Sequence, residues 1–322
     1  MQELALADDS SQNLLLPPAP PSAGSSSGSP ARTLPLSFAC EMFHAFTDTF
    51  SLVVTGVQCL NLFAGLNEVQ APTAYSKFAS KSALSIPSLY GMLVIYTPAT
   101  CAAAYCVATA GDANGRELLV AAMLLGHFAK RVGETLFVHR YSGSLDGGVG
   151  GFIGTFYALL TLLISAQQAA VPRDAYVDAL LPVGLALYAV GEAGNLYHHA
   201  LLARMRPPPK EQATMLRGMS ALALAATPTT AEALAAAPET PKSAYSVPHG
   251  GLFGVVAMPH YFFELCAWLG VALVAQQLNA LLVFGGMASY LGGRAVATSR
   301  WYRAQFGDAW PEGRRHLVPF VF

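Results

Sequence analysis

ELLVAAMLLGHFAKRVGETLFVHRYSG, residues 117–143, decides the fold. The stretch begins as an apolar run and turns polar without losing its helical period. His127, Lys130, Arg131 and Glu134 fall at i, i+3, i+4 and i+7, one face of a helix. The rest of the chain shows what kind of helix this is. Of 322 residues, 53% are hydrophobic and 11% charged, with a mean hydropathy of +0.42. An ordinary soluble domain carries about 25% charged residues. A soluble globular enzyme and a disordered polypeptide are both excluded. The net charge of −1 gives no electrostatic case for nucleic acid. The class is an all-α polytopic membrane helix bundle with no Rossmann domain.

A bilayer span needs about 20 mainly apolar residues. Seven candidates follow one another at 40–65, 88–109, 117–136, 149–168, 176–201, 255–275 and 278–297. The first is interrupted by Glu41, His44 and Asp48, and a short turn near Gln276–Gln277 separates the last two. Placing the C-terminus in the cytosol puts only Arg32, Arg116 and Arg173, of 18 Lys and Arg, on the far side. That positive-inside bias supports seven spans. Four regions are expected: a disordered Pro/Ser/Gly-rich tail (1–36), helices one to five (37–206), a Pro/Ala/Thr-rich cytosolic insert (207–243) and a C-terminal region (244–322). Within the insert, Met215–Ala226 reads as a short helix or as flexible loop. No basic n-region precedes an apolar run at the start, so no cleavable signal peptide is expected. The five cysteines form no CxxC pair, which suggests neither a zinc site nor a disulfide framework.

Ionisable residues inside spans are costly and mark function. Lys130 and Arg131 beside Glu134 read as a structural ion pair or as a receptor for phosphates, which Arg binds bidentately and Lys as a point charge. On the fifth span Glu192, Asn195, His199 and Arg206 share a face. The pair His198–His199 invites a metal, but HExxH and further histidine boxes are missing, so no metal is expected. On the sixth span His260 and Glu264 stand at i, i+4, with Tyr261 beside them as interfacial belt residue or proton donor. On the seventh, Arg294, Thr298 and Tyr302 recur every four residues, as snorkelling or ligand-contacting side chains. GGVGGFIG (147–154) carries overlapping GxxxG spacings that suit close helix packing better than a phosphate loop.

Six blocks in order resemble the steroid 5-alpha-reductase family, which includes very-long-chain trans-2-enoyl-CoA reductases and polyprenol reductases. They are KRVGETLFVHRYSG (130–143), GNLYHHALLARMR (194–206), VPHGGLF (247–253), PHYFFE (259–264), GGRAVATSRWY (292–302) and the terminal RRHLVPFVF. The resemblance runs from about Ser88 to Phe322, outside the insert, and is nearest to plant-type members and the enoyl reductase branch. It implies a seven-helix membrane reductase using NADPH from the cytosolic side of the endoplasmic reticulum. By motif, Asn195, Arg206, Glu264, Arg294 and Tyr302 look like cofactor contacts, a set that we extend to His199, Tyr245 and His260. Tyr261 stands where enoyl reductases have their catalytic tyrosine, and Lys130 and Arg131 match a basic pair those enzymes require. Tyr261, Lys130, Arg131 and Glu264 are the expected catalytic set. Steroid-reducing members carry a glutamate where Tyr96 stands, a tyrosine where Phe128 stands and an aspartate where His199 stands. The expected reaction is NADPH-dependent reduction of an activated C=C bond in a lipid, a trans-2-enoyl-CoA before a 3-oxo-Δ4 steroid or a polyprenol, with other enzymes of lipid elongation as partners. A transporter would use the same buried charges but show inverted repeats and broken helices. A non-catalytic scaffold would bind no NADPH.

Overall fold

A computed structural model describes residues 42–73, 78, 84–111, 115–206 and 245–322. The expected tail, the insert with its short helix, and residues 40 and 41 of the first span lie outside the described residues. The described chain is helical, with α1 (Thr49–Asn61), α2 (Ala64–Gln70), α3 (Ser88–Thr109), α4 (Gly115–Gly133), α5 (Gly147–Gln168), α6 (Leu180–Arg204), α7 (Pro259–Ala275) and α8 (Leu278–Phe306). A two-stranded antiparallel ribbon of β1 (Ser85–Pro87) and β2 (Ser144–Asp146) ties the start of α3 to the start of α5.

The expected spans each meet helix, with shifted ends. Asp48 does not interrupt the first span. It caps α1, its carboxylate accepting from the Ser51 backbone N–H at 2.9 Å, so the helix starts later and continues, after a break at Leu62–Phe63, to Gln70. Among the described residues, four helical stretches are long and apolar enough to cross a membrane: Thr49–Gln70, Ser88–Thr109, Gly147–Gln168 and Leu278–Ala309. The apolar α7 is shorter. Helices α4 and α6 are of spanning length and carry the buried His127, Arg131, His198 and His199. Large apolar side chains point outward from α1, α3 and α5, among them Leu60, Tyr105 and Phe152. Such a surface suits lipid and not water.

Close approach sets the packing. The most extensive contact among the described helices is α6 against α7. Gly184 and Gly191 on α6 meet the α7 backbone at Gly270 and Ala267, and Gly194 lies under the Phe263 ring. The GxxxG reading of 147–154 divides between two faces: Gly150 and Gly154 lie against α3, whereas Gly151 faces open space. At the end away from the polar clusters, an amide network joins the elements. Gln277 donates to Gln168 Oε1 (2.6 Å) and to the Ile164 carbonyl (3.0 Å), and Asn279 donates to Gln167 (3.0 Å). Gln276, in the left-handed conformation that makes the α7–α8 turn, exchanges two hydrogen bonds with the Val177 backbone. Polar groups buried in an apolar bundle must find partners internally. Apart from Gln277 Oε1, these amide groups do so, and they fix the turn that sets α8 beside α7.

A methyl group on Gly191 would press on the Ala267 backbone, so Gly191→Ala should cost about 1–3 kcal/mol by overpacking. Gly151→Ala should be neutral or stabilising, because its Cβ meets nothing and alanine favours helix. Apparent melting temperatures of the two variants in detergent check this contrast.

Candidate active site

A cavity of about 230 Å³ opens among α3, α4, α6, α7 and α8. Its builder is α4. Lys130 and Arg131 are neighbours in sequence and therefore point about 100° apart around the helix. Lys130 turns to α6, where its Nζ lies 2.7 Å from Glu192 Oε2 and donates to Asn195 Oδ1 at 2.7 Å. Arg131 turns to α3 and donates to the Tyr96 hydroxyl at 2.7 Å, with its guanidinium 4.8 Å from the centre of the same ring. Its other nitrogen bonds Glu134 and lies 3.0 Å from His199 Nδ1.

The expected residues divide by position. Arg131, Asn195, His199 and Arg206 line the cavity, as do His260, Tyr261, Glu264 and Tyr302. Asn195 is saturated: besides accepting from Lys130, it donates to the His260 carbonyl (2.9 Å) and to Glu264 Oε2 (3.0 Å). The other Glu264 oxygen faces His127 Nε2 at 3.3 Å. Tyr302 stacks on Trp310, ring centres 4.9 Å apart. Lys130, Tyr245 and Arg294 lie outside the lining. Lys130 stands behind Asn195. Tyr245 backs the wall, its ring 4.4 Å from the Arg206 guanidinium and packed on Trp301. Arg294 is 2% exposed and paired with Glu68 of α2, whose second oxygen accepts from the Thr73 backbone N–H and hydroxyl.

Further lining residues lie outside the expected set. Arg140 donates to the Arg206 carbonyl, and both arginines line the cavity. His139 and Tyr141 flank it. All three belong to the quoted 117–143 stretch, so the signal was the HRY triplet just past the helix. They reach the cavity because α4 widens into a π-helical turn at Glu134–Val138 before the chain straightens. The wall near α3, α5 and α8 is apolar and aromatic, with Met92, Tyr157, Met287 and Leu291. Phe128 is not in the lining. It is buried between His127, Tyr157 and Trp268.

Glu134, His139 and His199 bring ligand atoms within 4.8 Å of one another, a spacing that a metal ion would accept. Burial, with the Arg131 guanidinium nearby, holds the His139 imidazole well below its usual range, so it stays neutral. However, the Arg131 guanidinium already contacts Glu134 and His199. A fixed cation there opposes a second one.

Residues 210–322 match the family described as 3-oxo-5-alpha-steroid 4-dehydrogenase. The chain is 28% identical over 199 residues to a very-long-chain enoyl-CoA reductase of Dictyostelium discoideum, covering 61% of this chain and 55% of that protein. It is 37% identical over 78 residues to the steroid 5-alpha-reductase DET2 of Solanum lycopersicum, 24% of this chain and 30% of the relative. It is 26% identical over 167 residues to 3-oxo-5-alpha-steroid 4-dehydrogenase 1 of Rattus norvegicus, 52% of this chain and 52% of the relative. The chain thus spans about half the length, or less, of these relatives. The resemblance to the steroid 5-alpha-reductase family, with an enoyl-CoA reductase branch close by, is borne out.

If Arg131 fills the place of a metal, zinc and chelators should both leave the melting temperature of the wild-type protein unchanged. Arg131→Met exposes Glu134, His139 and His199 to one another. That variant should gain zinc-dependent thermal stability, read in the same melting experiment with and without the ion.

Proposed function

We propose that this chain is a membrane oxidoreductase that reduces the activated C=C bond of a lipid, most directly a trans-2-enoyl thioester, with NADPH. The observation that supports it is the cavity itself. It gathers Arg131, Asn195, His199, His260, Tyr261, Glu264 and Tyr302 at one place between helices. The longer matches include an enoyl-CoA reductase, which favours the thioester over a steroid. The donor set suits a dinucleotide phosphate: Arg140 and Arg206 both line the cavity, Arg206 backed by the Tyr245 ring. Tyr302 offers an aromatic wall beside them.

NADPH, when bound, supplies the hydride chemistry. The residues of this chain do the rest. Reduction of a conjugated C=C bond places negative charge on the carbonyl oxygen, which needs a donor already in position. Tyr96 is such a donor. Its oxygen accepts from Arg131, leaving its own O–H for a ligand in the cavity. Tyr261, on the first turn of α7 with its ring 4.5 Å from His260, supplies the proton for the α-carbon. Glu264, one helical turn on, is held by Asn195 and His127 and keeps this wall in register. The apolar side formed by Met92, Met287 and Leu291 receives the acyl chain. With the C-terminus cytosolic, the basic part of the cavity meets soluble cofactor and acyl-CoA. The endoplasmic reticulum, where other lipid-elongation enzymes would be neighbours, fits this arrangement.

The test is reduction of a long-chain trans-2-enoyl-CoA and of a 3-oxo-Δ4 steroid, offered in parallel with NADPH to protein in liposomes and read by mass spectrometry. Saturated acyl-CoA is the expected product. Tyr261→Phe should lower the rate about 10²–10⁴-fold, the usual worth of a positioned proton donor. Reduced steroid alone would move the substrate to the other branch. No NADPH binding at all would overturn the reductase reading.

A further inference from the structure

His127 sits behind the cavity, 4% exposed and outside its lining. Both its ring nitrogens face carboxylates. Nδ1 lies 2.7 Å from Glu192 Oε1 on α6, and Nε2 lies 3.3 Å from Glu264 Oε1 on α7. A carboxylate only accepts, so each contact needs an N–H. A neutral imidazole has one N–H and an imidazolium has two. The ring is also packed edge-on against two aromatic rings, Phe128 at 5.0 Å and Trp268 at 5.2 Å between centres, which leaves the two carboxylates as its polar neighbours.

The surrounding charges give the same answer. Glu134, Glu192 and Glu264 are three acids within one ion-pair network. Lys130 and Arg131 supply two positive charges. Glu134 Oε1 and Glu192 Oε2 lack a well-directed hydrogen bond and depend on the Lys130 ammonium, at 3.7 Å and 2.7 Å. His139 and His199 also face Glu134, but the Arg131 guanidinium, 3.0 Å from His199 Nδ1, opposes a proton there, so with a neutral His127 the network would bury one uncompensated negative charge, which is costly in a bundle interior.

We infer that His127 is a positioning residue, an imidazolium that carries the third positive charge beside Lys130, Arg131 and the three acids and thereby holds Glu264 and Asn195 in the cavity wall. Its binding readout rests on the reductase reading, whereas its charge does not. The histidine itself touches no ligand. Removing its charge should release Glu264, because Asn195 alone then holds that carboxylate. Restoring the balance by neutralising Glu192, which is also outside the lining, should return it.

Two measurements decide. In protein with ¹⁵N-labelled histidine, reconstituted in nanodiscs at neutral pH, one ring should show the doubly protonated signal, and His127→Gln should remove it. A neutral tautomer at His127 overturns the inference, and this measurement requires no cofactor; the melting temperature of His127→Gln reports that the variant used for the assignment is folded. The second compares His127→Gln, Glu192→Gln and the double variant by NADPH affinity and by melting temperature. Each single change should weaken binding about tenfold, while the double variant should recover to within about threefold of wild type, as expected for directly coupled sites. Additive losses would overturn the inference. Failure of the wild type to bind NADPH would sink the reductase reading instead, and the labelled spectrum and melting temperatures would still judge His127.

Discussion

Charge buried between helices constrains this protein more than any apolar contact does. Moving an ion from water into a low-dielectric interior costs several kcal/mol even after relaxation, and only close partners offset it. Lys130 cannot be placed without Glu192 and Asn195, and Glu264 cannot be placed without Asn195 and His127. Those partners lie on α4, α6 and α7. The network therefore fixes the rotation of three helices about their own axes, which apolar packing in lipid specifies poorly because lipid tails are as apolar as leucine. Glycine contacts set how near α6 and α7 come, and the ion pairs set which faces meet. The cavity lies on the other side of this network, and its walls inherit their register from it.

Much of this arrangement is legible in the sequence. Spacing alone places His127, Lys130 and Glu134 on one side of α4, and Glu192, Asn195 and His199 on one side of α6. What spacing does not show is the partner. Lys130 and Arg131 read naturally as one basic pair, yet a step of about 100° per residue sends them to different helices. Arg294 and Tyr302 read as one face, yet eight residues of α-helix accumulate about 80° of drift. Tyr302 accordingly faces the cavity and Arg294 faces α2. Glu68, the partner of Arg294, gave no signal, since it stands alone in a short helix after an irregular turn.

The ends of elements were least readable, and the reasons are local. Asp48 looked like a charge inside a span and is instead a helix cap. Val255–Met258 stay irregular and Pro259 opens α7, so the sixth span becomes helical later than hydropathy indicates. The π-helical turn after α4 has no compositional mark, because ETLFV would fit an ordinary α-helix equally well. Its effect is large: it displaces His139, Arg140 and Tyr141 from the position an unbroken helix would give them, and all three reach the cavity.

The chemistry of the cavity follows from how it is divided. Met92 and Tyr157 oppose Met287 and Leu291 at the side nearer the apolar helices, whereas Arg140 and Arg206 lie where the chain leaves α4 and α6. A ligand with an anionic head and a greasy tail can satisfy both ends at once, and one lacking either leaves an unpaired guanidinium or a wetted apolar wall. Tyr96 and Tyr261, from α3 and α7, also line the cavity, and their neighbours differ. Arg131 polarises Tyr96 directly, and Tyr261 has an imidazole ring beside it instead. In the proposed reduction one hydroxyl would stabilise charge on a carbonyl oxygen and the other would give up a proton, a division of labour that two equivalent tyrosines could not provide.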